Sequence, residues 1–169
     1  MPKSVQLSAY GGADRLRIVG VAKPEPNAGE AVVRVVAAGT NPGEISIREG
    51  LLEDMYPREF PFGQGSDFAG RIESVGAGVS GFSPGDEVLG WTDQRSAQAE
   101  YVAVSPSQLI PKPPALDWFR AGSLFVVATT AVAACARYRY SQARSSQSAA
   151  LRAAWDRSRS SSRDVRVPA

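Results

Sequence analysis

Apolar positions in the first hundred residues fall in short runs, each closed by glycine or proline, and this spacing predicts strands rather than long helices. Val5 to Tyr10 and Leu16 to Ala22 are β-prone, and Glu30 to Ala38 is richer still in valine. Gly11-Gly12 and Pro24-Glu25-Pro26 punctuate them. Asn41-Pro42 offers an N-cap followed by proline at the first helical position, predicting a short helix through about Glu49 that Gly50 can end. Phe68 to Val75, Asp86 to Trp91 and Gln98 to Val104 predict three more strands, with Pro84-Gly85-Asp86 as a turn. The expected fold is mainly β with short helices, a compact β-barrel-like domain. Asp117 to about Ala131, amphipathic at first and apolar later, predicts a helix leaving it.

Beyond about residue 131 the pattern stops. Residues 136–169 hold eight Arg, eight Ser and few large aliphatics, with no sustained period, so they predict a disordered C-terminal tail. The tail also carries the basic charge. Residues 1–135 have eleven Lys/Arg against fifteen Asp/Glu, a net of −4, whereas residues 136–169 have eight Arg against two Asp, a net of +6. A basic nucleic-acid face is therefore excluded for the main domain. An Arg-rich nucleic-acid-binding tail remains an alternative, but its Arg and Ser do not alternate and no aromatic stacking pattern accompanies them. The single cysteine, Cys135, cannot form an internal disulfide and fits a reducing compartment. No apolar signal core or membrane-length run is present, so a cytoplasmic protein without a membrane partner is the expectation.

Four motifs stand in order along the chain. They are Val35-Val36-Ala37-Ala38-Gly39-Thr40-Asn41-Pro42, Gly65-Ser66-Asp67-Phe68-Ala69-Gly70, Pro84-Gly85-Asp86-Glu87-Val88 and Ala99-Glu100-Tyr101-Val102. Each is weak alone. Together, over about residues 5–131, they resemble the zinc-free, quinone-oxidoreductase-like branch of the medium-chain dehydrogenase/reductase superfamily. The resemblance implies a chaperonin-10-like β-barrel catalytic domain over residues 1–131 and a cofactor, NADPH. It also implies a small quinone or activated carbonyl as substrate, and frequent homo-oligomers. A chaperonin-10-like barrel can also stand alone as a non-enzymatic binding module, which is a second alternative.

Zinc-dependent relatives need cysteine and histidine ligands, and this chain has no histidine. Asn41 stands where their first cysteine ligand would be and Ser66 where their ligand histidine would be, with Asp67 at the neighbouring acidic position. Neither Asn41 nor Ser66 anchors zinc, so hydride delivery to an already electrophilic carbonyl is better supported than alcohol oxidation. By resemblance Asn41 contacts the nicotinamide and Thr130 faces the cofactor, while Tyr56 lines the substrate pocket. Their plain alternatives are a helix cap for Asn41, a hydroxyl bonded back to its own helix for Thr130, and a packing tyrosine. Asp67 is expected to fix loop structure.

After Thr130 the resemblance implies a strand, a glycine-rich turn and a helix receiving the cofactor pyrophosphate. That nucleotide-binding α/β domain is missing from the translated chain. Yet residues 140–168, read through synonymous codons in the frame beginning at each third base, permit QPGTVVAVSGAAGGVGSIAVQLARRAGA. This string resembles the branch's nucleotide fingerprint. A frameshift near residues 131–135 is therefore expected, making residues 132–169 an out-of-frame tail and the chain as it stands inactive.

Overall fold

Alternation along the strands decides which residues meet in the core. The computed structural model describes residues 1–140, and the chain divides into two units, Met1–Ala128 and Thr129–Ala169. The first unit contains β1 (Lys3–Leu7), β2 (Arg17–Gly20), β3 (Ala31–Ala38), α1 (Pro42–Arg48) and β4 (Phe62–Gly63). It continues with β5 (Asp67–Val75), β6 (Glu87–Trp91), β7 (Tyr101–Val104), β8 (Leu109–Pro111) and α2 (Trp118–Gly122). These strands form two sheets rather than one closed barrel, ordered β2-β1-β4 and β7-β3-β5-β6-β8, with every pair antiparallel. Register shifts at Val32/Val33 and Val35/Ala37 mark irregularities in the β3–β5 pairing, where bulges bend and twist a strand. A bridge between Ser4 and Ala99 links the two sheets.

Within β5, Phe68 and Ile72 enter one buried cluster with Val33, Val88, Val102 and Val104, as a period of two requires. The intervening Ala69 faces a second cluster with Leu89 and Ala121, so α2 covers the opposite face of the same strands. Trp118 of α2 lies under two cations, Lys112 Nζ 4.7 Å and Arg71 Cζ 5.4 Å from its ring. The approach of α2 to β3 depends on Gly122. A Cβ there would stand 2.7 Å from the Ala37 carbonyl oxygen, closer than such atoms pack. This contact lies near the end of β3, four residues before Asn41.

Residues 124–140 are helical, 124–128 in the first unit and 129–140 in the second. The helix passes the boundary near 131 at which the sequence reading ends it. Ala131, Ala133, Ala134 and Ala136, with Arg137 and Arg139, favour helix through backbone propensity even though residues 131–140 are exposed. The tail expected to be disordered lies, from residue 141 on, outside the described residues. No helix among the described residues is long and apolar enough to cross a membrane.

Candidate functional site

Asn41 precedes α1 with an extended backbone, φ −114° and ψ 146°, and Pro42 starts the helix behind it. Its side chain makes no cap hydrogen bond, so the cap reading holds for the backbone position only. The amide turns inward instead. Asn41 Nδ2 donates to Glu44 Oε1 and to Asp67 Oδ2, both at 3.4 Å. Glu44, 3 % exposed, also accepts from the Ser66 backbone N–H at 2.8 Å and from Gln64 Nε2 at 3.4 Å. One carboxylate thus ties the start of α1 to the segment that enters β5.

Asp67, the first residue of β5, is fully buried. Its Oδ2 also accepts the Val126 backbone N–H at 3.2 Å, while its Oδ1 has no hydrogen-bond partner. Burial pushes the Asp67 carboxyl above the ordinary aspartate value, against the lowering effect of the Val126 and Asn41 hydrogen bonds. The sequence reading of Asp67 as a structural anchor agrees with these contacts, but the unpartnered oxygen and the buried neighbour Glu44 were not foreseen. Glu44 was legible only as an acidic residue in a first helical turn, a common and uninformative position.

Arg95 was missed altogether. It is the one non-glycine with positive φ among the described residues, at 54°. It donates from a guanidinium NH to Ser66 Oγ at 2.5 Å, and its Cζ lies 5.7 Å from the centre of the Tyr56 ring. Tyr56 is 39 % exposed, so a ligand can reach it. Asn41 is therefore linked to Arg95 through Glu44 and Ser66, and Tyr56 closes the far side of Arg95. Thr130 belongs to the second unit, where it is exposed on its helix.

The donor set does not fit zinc. Ser66, at the position resembling the ligand histidine, has its hydroxyl engaged by a guanidinium, and a second cation there would be repelled. Among the described residues no group of three or more His, Cys, Asp or Glu comes together to hold a metal ion. The fit to NADPH is partial. Gly76-Ala77-Gly78-Val79-Ser80-Gly81 has the spacing of a dinucleotide loop and follows β5, but it turns back into antiparallel β6 instead of opening a helix. Without a helix N-terminus behind it, that turn offers no pyrophosphate cradle.

Residues 27–114 match the alcohol dehydrogenase GroES-like domain. The chain is 34% identical over 131 residues to a chloroplastic quinone-oxidoreductase homolog of Spinacia oleracea, spanning 76% of this chain and 40% of that protein. It is 36% identical over 124 residues to the quinone oxidoreductase of Rattus norvegicus, spanning 72% of this chain and 36% of the relative. Its fold is similar to the quinone oxidoreductase of Coxiella burnetii, with a TM-score of 0.76 at 30% identity over 80% of this chain and 44% of that one. An Escherichia coli quinone oxidoreductase complexed with NADPH superposes with a TM-score of 0.68 at 26% identity, over 73% of this chain and 37% of that one. The chain thus spans about two fifths of the length of the curated relatives it matches.

Proposed function

The chain belongs to the alcohol dehydrogenase GroES-like domain family, in the quinone-oxidoreductase-like branch of the medium-chain dehydrogenases/reductases, and from that premise we propose a substrate-side domain for zinc-independent carbonyl reduction. The substrate class is a quinone or another activated carbonyl. A reduced nicotinamide held by a nucleotide domain would supply the hydride, and one proton from solvent would complete the reduction of a quinone to a hydroquinone.

This chain's own share is positional. Glu44 and Asp67 hold the Asn41 amide in one orientation, and burial of that cluster keeps water from loosening it. The observation that carries the reading is the Asn41 side chain, whose amide donates to two buried carboxylates, Glu44 in the first turn of its own helix and Asp67 at the start of β5. A plain helix cap would have bonded the helix N–H groups instead.

The test uses the longer protein read through the alternate frame to its own stop codon. It should reduce quinones with NADPH, and Asn41→Ala should lower kcat/KM by about a hundredfold, the loss that misplacing a reactant brings. Unchanged turnover in Asn41→Ala would remove the role from Asn41. The nucleotide sequence across codons 128–170 decides whether the frame is shifted.

A further inference from the structure

Arg95 combines three features that packing alone does not explain. Its backbone occupies the left-handed region, where glycine would sit at lower cost, and such strain collects at functional positions. Its guanidinium is fixed from two sides, by Ser66 Oγ and by the Tyr56 ring, yet no carboxylate lies within ion-pair distance of it among the described residues. It also lines a narrow pocket, open to solvent, together with Glu44, Ile47, Phe62 and Gln64. That pocket admits an atom-sized group such as a carbonyl oxygen and is too small for a ring.

We propose that Arg95 is the substrate-oxygen-binding residue of this site, taking the carbonyl oxygen of a quinone or conjugated carbonyl whose ring rests against Tyr56. The contact to Ser66 uses one of the five N–H donors of a guanidinium, which leaves others for an oxygen acceptor. Because arginine stays charged at any working pH, it binds and polarises the oxygen without giving up a proton. The cation stands beside Ser66, the position that in zinc-dependent relatives resembles the metal ligand. A fixed positive charge of the chain thus occupies the place of a Lewis acid. This assignment rests on the substrate reading proposed above and deepens it.

The experiment titrates the full 169-residue chain with duroquinone, whose four ring methyls prevent alkylation of Cys135, and follows nitrogen–proton NMR spectra. The Nε–H resonance of Arg95 and the amide of Ser66 should move together on saturation. Arg95→Gly suits the left-handed backbone, so it should keep the dispersed spectrum and melt at the same or a higher temperature, while binding duroquinone at least about tenfold more weakly. Equal binding by Arg95→Gly, or an Arg95 Nε–H that does not move while other resonances saturate, overturns the role of Arg95 and leaves the quinone reading standing. No binding by the unaltered chain up to the solubility limit overturns both.

Discussion

At the scale of the residue, the unpartnered oxygen of Asp67 sets a pH dependence that runs opposite to that of a salt-bridged aspartate. Burial raises its folded value above 3.8, so the folded state holds the proton more tightly than the unfolded one. Its share of stability is therefore greatest below 3.8, falls as pH rises through the raised folded value, and is level above it. Carbon-13 titration of the Asp67 carboxyl should give a midpoint above 3.8. Asp67→Asn should remove that part of the slope from the urea-unfolding free energy measured between about pH 4 and 7. A midpoint at or below 3.8 would show that the Asn41 and Val126 hydrogen bonds outweigh burial. Arg95→Gly belongs at the same scale: relief of a left-handed backbone should stabilise by about 1 kcal/mol in urea titrations. Of these residues, Asn41 could be singled out from the sequence because it stands in one of four motifs that are specific in combination. Arg95 was not, because a polar turn gives no sign of which residue will take a positive φ or where its long side chain will settle.

At the scale of the element, the strand pattern was legible wherever alternation met a buried face. β3 and β5 begin within a residue of their expected positions, since Val32, Val33, Phe68 and Ile72 announce the core. β4 and β8, of two and three residues, were invisible because a strand so short has no period of its own. Helical propensity carried the last helix past its expected end although residues 131–140 bury no face. The close approach of α2 to β3 yields a paired test. Gly122→Ala places a methyl against Ala37 and should cost about 1–3 kcal/mol, as overpacking does, while disturbing the amide resonance of Asn41. Gly43→Ala, inside α1 with nothing within 4 Å of the added carbon, should instead stabilise by about 0.5–1 kcal/mol. Equal effects of the two, read from urea midpoints, would refute the close approach.

At the scale of the whole molecule, the proposed reading separates a substrate-side domain from a cofactor cradle. The first unit carries the GroES-like fold and the buried Asn41 cluster, whereas the one glycine-spaced turn within it closes a hairpin. The Gly76–Gly81 spacing alone could be taken for a dinucleotide loop, and only the fold, in which it leads back into antiparallel β6, shows why it offers no cradle. Purified chain should carry no stoichiometric zinc by elemental analysis, since by resemblance Asn41 stands in place of a cysteine sulfur and Ser66 in place of an imidazole. About one tightly held zinc per chain would refute that donor argument. The most direct measurement is calorimetric titration of the 169-residue chain with NADPH. No saturable heat is expected, because on the proposed reading Asn41 would meet only the reactive end of the cofactor, and the Gly76–Gly81 turn offers the pyrophosphate no helix N-terminus. Saturable binding at micromolar NADPH would contradict it.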